Sequence, residues 1–162
     1  MLKTIAISNE KGGVAKTTTT LSLGAALVEL GNRVLLIDLD AQANLTLALG
    51  FEPGENENTS SNVMLDSAPL LDVCKKTDVE KLDLIPSSSR IEISEQFLPV
   101  RTSYTTNLQK AIHSVNLPYE YIILDCPPAL GAITKNALAA SDLLLIPTQA
   151  EYFSAYALRN MM

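Results

Sequence analysis

Lys11-Gly12-Gly13-Val14-Ala15-Lys16-Thr17-Thr18 decides how this chain is read. A short apolar run, Thr4-Ile5-Ala6-Ile7, precedes it, and a Leu- and Ala-rich stretch from Thr17 to Leu30 follows. A strand, a glycine-rich turn and then a helix form the context that a phosphate-binding loop requires. In such a loop successive backbone N–H groups turn inward around an anion, and the helix N-terminus adds partial positive charge. Gly12 and Gly13 carry no Cβ to block that approach. Lys16 is placed to reach β- and γ-phosphates, and the Thr17 hydroxyl to ligate Mg²⁺. The general spacing G-x-x-x-x-G-K-S/T is not met, because its two glycines fall at Glu10 and Ala15. The match is to a variant with a lysine at the front, K-G-G-V-x-K-T-T.

Four more apolar runs follow along the chain. They are Val34-Leu35-Leu36-Ile37, Leu82-Asp83-Leu84-Ile85, Tyr121-Ile122-Ile123-Leu124 and Leu143-Leu144-Leu145-Ile146. All but the one holding Asp83 are continuous rather than alternating, as in strands buried on both faces of a parallel sheet. Helical patterns lie between them. Thr17 to Leu30 ends at Gly31, a good C-cap. From Ser103 to Asn116, Tyr104, Leu108, Ala111, Ile112 and Val115 share one helical face. Ser67 to Lys76 and Thr134 to Ala140 are shorter candidates. Residues 52–60 are polar, acidic and turn-rich, and Pro86-Ser87-Ser88-Ser89 follows a strand, so both read as loops. Alternating strands and helices predict an α/β fold, a parallel β-sheet with helices on both faces.

The 162 residues suit one domain, and 47% hydrophobic against 19% charged residues exclude a disordered chain. Twelve Lys+Arg against 18 Asp+Glu leave a net charge of −6, which does not suit a basic nucleic-acid module. Cys74 and Cys126 have no metal-ligand spacing and form no disulfide framework, so a reduced, cytoplasmic setting is expected. No signal peptide and no apolar stretch of bilayer length is visible. Residues 1–162 are expected to form a single nucleotide-binding domain. Tyr152 to Met162 read as a helix start without a cap, so the expectation is a domain truncated at its C-terminus.

Three carboxylates join the loop. Asp38 and Asp40 leave the C-terminal end of a buried strand, where ligands sit in an open α/β sheet. Asp125 follows four apolar residues, the place where a nucleotide-binding enzyme holds Mg²⁺. His113 falls off the apolar face of its helix and reads as solvated, and Cys126 as a small buried residue.

These segments together resemble the ParA-type partition ATPases, the P-loop NTPases with a deviant Walker A motif. That motif reads K-G-G-V-G-K-T-T and differs here only at Ala15. Asp38-Leu39-Asp40-Ala41-Gln42-Ala43-Asn44 resembles the family's D-x-D-P-Q-G-N, and Asp125-Cys126-Pro127-Pro128-Ala129-Leu130-Gly131 its D-C-P-P-S-L-G segment. The resemblance implies that residues 11–18 bind ATP, with Val14, Ala15 and Thr18 in the loop backbone. It also implies that Asp40 positions or activates the attacking water, and that Lys11 reaches across an ATP-dependent homodimer to the partner's nucleotide. Thr17 and Asp125 would serve Mg²⁺, with Asp38 near the metal's outer shell. The 127–128 segment would sense the γ-phosphate. A ParB-like activator would accelerate hydrolysis, and non-specific DNA would be bound through residues beyond 162, giving nucleoid association in the full-length protein but no membrane binding. Ala15 stands where the family has a glycine, at a φ that alanine adopts poorly. Ala41 and Ala43 are expected to alter loop stiffness only. Two alternatives follow from the same resemblance: a MinD-like membrane-positioning ATPase, and a nucleotide-binding regulator whose catalysis Ala15 has weakened.

Overall fold

The computed structural model describes residues 2–149. The chain runs β1 (Lys3–Ile7), α1 (Lys16–Glu29), β2 (Val34–Asp38), α2 (Asn44–Ala48), α3 (Ser60–Asp66), α4 (Leu70–Val73) and β3 (Lys75–Lys76). It continues through β4 (Leu82–Ile85), α5 (Ile91–Phe97), α6 (Asn107–His113), β5 (Tyr121–Asp125), α7 (Ala132–Ala140) and β6 (Leu143–Leu145). The strands form one sheet in the order β3-β4-β2-β5-β1-β6. Every pairing is parallel except β3 with β4. The expected parallel sheet is therefore correct for five strands and is corrected at one edge. That edge strand is two lysines long, and Lys76 Nζ lies 2.6 Å from Asp83 Oδ2 on β4. A short, charged edge strand of this kind discourages further pairing.

The continuous apolar runs of β1, β2 and β5 have the expected cause, whereas β6, expected to be buried on both faces, is an edge strand with Leu143 and Leu144 exposed. Leu35, Leu36, Ile122, Ile123 and Leu124 are wholly buried because helices cover both faces of the sheet. On one face Ile7, Val34, Leu36, Leu84 and Ile123 pack against Leu21 and Leu27 of α1 and Leu45 of α2. On the other, Ala6, Leu35, Ile37, Ile122 and Leu124 meet the apolar sides of α3, α5, α6 and α7. Burial of one such side chain contributes about 1.5–3 kcal/mol.

Helix α1 approaches the sheet most closely at Gly24, where a Cβ would stand 2.9 Å from Leu36 Cδ2. Lys16, Thr20 and Gly24 are the buried residues of α1. Their spacing of four puts them on one stripe of the helix, running from the phosphate loop down onto β2.

Local differences from the sequence reading have physical causes. Residues 67–76 split into α4 and β3 because Cys74 is extended. Residues 103–116 hold a 3-10 turn at Tyr104–Thr106 before α6, and Val115 lies beyond the helix, 39% exposed. The acidic loop stops at Thr59, and Ser60 already begins α3. The expected helix at Tyr152–Met162 lies outside the described residues.

Candidate nucleotide site

The carboxyl ends of three adjacent strands supply the floor. In the sheet register Asp125 stands beside Ile7 of β1 on one side and Asp38 of β2 on the other. The loop after β1 therefore passes directly over two strand-final carboxylates. Above them lies an open cleft of about 280 Å³. Gly12, Gly13 and residues 15–18 line one side, and Asp40, Gln42, Asn44 and Pro128 the other. The structure thus brings the loop, the D-x-D turn and the 127–128 segment to one place. Val14 is buried beneath the loop and does not line the cleft.

Side chains from both ends of the chain brace the loop. Asn9, itself buried, accepts the Lys11 N–H at 2.9 Å and donates to the Pro147 carbonyl at 2.8 Å. Lys16 Nζ lies 3.4 Å from the Lys11 carbonyl. Lys11 Nζ donates to Gln149 Oε1 at 3.2 Å, and Gln149 Nε2 donates to the Gly13 carbonyl at 3.2 Å. Asn9 and Gln149 escaped the sequence reading because neither belongs to a motif; their role comes from a sheet order that sets the exit of β6 beside β1.

Ala15 has φ 64° and ψ 33°, the left-handed conformation, where it caps the start of α1. The glycine-to-alanine departure therefore falls on a backbone position that disfavours a Cβ. Ala43 has φ 51° at the start of α2. The expectation that Ala43 changes only loop stiffness is corrected: it carries the same backbone strain.

The three carboxylates differ in environment. Asp38 is fully buried, and both its oxygens are engaged. Oδ1 accepts the Asp40 N–H at 3.0 Å, and Oδ2 accepts the Thr46 N–H and hydroxyl at 2.9 and 2.7 Å. Burial nevertheless raises its pKa to about 6, against the pull of these hydrogen bonds. Asp40 is partly exposed at the cleft wall, its Oδ1 accepting the Gln42 N–H at 3.0 Å. Asp125 is buried, and its pKa is raised to about 7, first by desolvation; hydrogen bonding to Thr17 and Thr20 works against this, and the Asp38 charge adds to it.

The donors fit a divalent cation at one point. Thr20 Oγ1 lies 3.1 Å from Asp125 Oδ1, while Asp125 Oδ2 is buried with no hydrogen-bond partner among the described residues. A cation near that oxygen, with the Thr17 hydroxyl, would restore the ionised form that burial disfavours. No group of three or more His, Cys, Asp or Glu side chains able to hold a metal is found among the described residues. His113 is exposed and Cys126 buried, as expected. No described helix is long and apolar enough to cross a membrane.

The AAA domain family matches residues 2–162. The sporulation initiation inhibitor protein Soj of Bacillus subtilis is 44% identical over 162 residues, 100% of this chain and 64% of that protein. The chromosome partitioning protein ParA of Caulobacter vibrioides is 39% identical over 163 residues, 99% of this chain and 61% of that protein. The chain thus spans a little under two thirds of these relatives. A cobyrinic acid a,c-diamide synthase from Mycobacterium smegmatis, solved with a bound ATP analogue and magnesium, has a TM-score of 0.91 at 36% identity, covering 99% of this chain and 67% of that one.

Proposed function

The chain belongs to the AAA-domain family and, within it, to the ParA-type partition ATPases, and from that premise we propose that it binds and hydrolyses ATP with Mg²⁺ as a dimerisation switch in plasmid or chromosome partition or cargo positioning. The observation that carries this reading is the single cleft shared by the lysine-fronted loop, Asp40 and Pro128. The magnesium-bound relative supports the cofactor assignment.

In this mechanism the loop amides from Gly12 to Thr18 cradle the phosphates, and Lys16 adds a positive charge at the bridging oxygens. Thr17 and Asp125 would hold Mg²⁺, which would supply positive charge against the phosphates. Asp40, at the cleft wall, accepts a hydrogen bond from the water that attacks the γ-phosphorus and so orients it. Lys11 acts in a partner protomer's cleft, supplying charge in trans in the manner of an arginine finger. Nucleotide occupancy would thereby control association. A ParB-like activator, non-specific DNA binding through chain beyond residue 162, and a cytoplasmic, nucleoid-associated location belong to the same proposal.

Isothermal titration with ATP–Mg²⁺ and a phosphate-release assay test it. Native protein should bind, and Lys16→Ala should abolish binding. Asp40→Ala should keep binding and lose about 100-fold or more in turnover, as for loss of a catalytic acid–base group. Binding that survives Lys16→Ala, or turnover that survives Asp40→Ala, overturns the proposal.

A further inference from the structure

Asp40 has to stand at one place in the cleft wall, yet it lies two residues past the end of β2. What holds it there is a chain of hydrogen bonds buried behind it. The Asp40 N–H donates to Asp38 Oδ1 at 3.0 Å. Asp38 Oδ2 accepts the Thr46 hydroxyl at 2.7 Å, and Thr46 Oγ1 in turn accepts the Ser87 N–H at 2.9 Å. One strand further out, the Pro86 carbonyl accepts the Ser60 N–H at 2.8 Å, tying in the start of α3. Asp38, Thr46 and Ser87 are all fully buried, so no bulk water competes for these bonds.

The direction of the chain is forced by proton count. A threonine hydroxyl has one hydrogen to give. The Ser87 N–H can only donate, so Thr46 must meet it with a lone pair. Its single hydrogen is then committed to Asp38, whose carboxylate can only accept when ionised. The hydroxyl has one orientation, and beside the Thr46 N–H, which Oδ2 also accepts at 2.9 Å, it fixes the Asp38 carboxylate in the plane where Oδ1 faces the Asp40 amide and ties it to Ser87. Neither valine nor alanine could do this, and serine could.

We propose that Thr46 is a positioning residue for Asp40, acting through Asp38 and anchored on the β4 exit at Ser87. Thr46 touches no part of the cleft itself. The inference rests on the ATPase reading of the site only for its kinetic consequence; the structural relay stands or falls by itself.

Two measurements on the intact protein separate those parts. The first is ATP turnover against ATP affinity for Thr46→Val, which keeps the shape and removes the hydroxyl, and Thr46→Ser, which restores it. Thr46→Val should lower kcat about tenfold and leave the Kd for ATP–Mg²⁺ within about twofold, and Thr46→Ser should return kcat to within about threefold of native. A native-like kcat in Thr46→Val, equal losses of kcat and affinity, or no rescue by serine overturns the proposal. The second is amide hydrogen exchange without nucleotide. Thr46→Val should speed exchange at Ser87, its direct partner, and at Asp40, two links away. Unchanged exchange at Asp40 also overturns the relay. Should native protein show no turnover, the ATPase reading fails, while the exchange arm still decides the relay. If Thr46→Val does not fold, Thr46→Cys, a weak donor of similar size, is judged by the same criteria.

Discussion

Replacing Ala15 by glycine should make this protein more stable, although glycine is the poorer choice inside a helix. Ala15 sits at φ 64° and is exposed, so its methyl group gains nothing from burial. Its carbonyl accepts the Thr19 N–H at 2.9 Å and the Thr19 hydroxyl at 2.7 Å, both bonds that glycine would keep. The left-handed conformation costs an L-residue about 1–2 kcal/mol. Glycine relieves that but gives the unfolded chain more freedom, which costs back roughly 0.5–1 kcal/mol. The net gain is about 0.5–1 kcal/mol, or roughly 1–4 °C in Tm for a domain of this size. Ala43→Gly, at φ 51°, should behave alike. The internal control is Ala25→Gly, exposed within α1 and in ordinary helical geometry, which should destabilise by about 1 kcal/mol. Thermal and urea denaturation of the three variants without nucleotide would measure all of this. An Ala15→Gly variant that melts at or below the parent, or one that falls in step with Ala25→Gly, would refute the strain argument.

Two further outcomes are expected. Asp38 and Asp125 have folded pKa values of about 6 and about 7, both raised from 3.8 by burial. The folded state therefore binds these protons more tightly than the unfolded chain, so their stabilising contribution is full below about pH 4 and is lost as pH rises through 6 to 7. Metal-free protein should lose stability between about pH 4 and pH 7, with a slope approaching about 1.4 kcal/mol per pH unit for each group until the pH reaches that group's folded pKa, and Asp125→Asn should flatten it; urea titrations giving a level or rising profile would count against the buried-charge picture. At the other side of the sheet, Glu95 of α5 accepts the Ala132 and Ile133 N–H groups at 2.5 and 3.0 Å, capping α7 with a carboxylate from a different helix. Glu95→Ala should cost about 1–2 kcal/mol in chemical denaturation, with Glu95→Gln between it and native, and a neutral alanine variant would show the cap to be without weight.

Much of this site could be read from the order of residues because its parts obey local rules. Buried parallel strands are apolar along their length, so β1, β2 and β5 announced themselves. The loop between Ile7 and Lys16 is short and combines glycines with lysines, which packing alone does not ask for. Asp38, Asp40 and Asp125 stand at strand ends, where the sheet presents ligands. What stayed hidden depends on contacts between distant residues or on segments too short to show a period. Helices α2, α3 and α5 have five to seven residues, less than two turns of pattern. Strand β3 is two lysines and carries no apolar signal. The Gln149 bridge to Lys11 joins positions 138 apart, and the Thr46 contact with Ser87 joins positions 41 apart. The strain at Ala43 was hidden differently: its departure from a family glycine was visible, but only the backbone angle tells that it is more than a change in flexibility.

Gly24 carries no charge, binds nothing and lies two turns from the phosphate loop, yet the close fit against Leu36 gives it a part in the chemistry. Helix α1 is a rigid rod with Lys16 at one end and Gly24 on the same stripe. A side chain at Gly24 would press on the far end of Leu36, so either that leucine or the rod itself must give way. The reach of the Lys16 ammonium and of Thr20 toward Asp125 is therefore set partly by an absent methyl group. Sequence drift at such a position would disturb the placement of the phosphate loop without touching the cleft, and a smaller residue at Leu36 would relieve it.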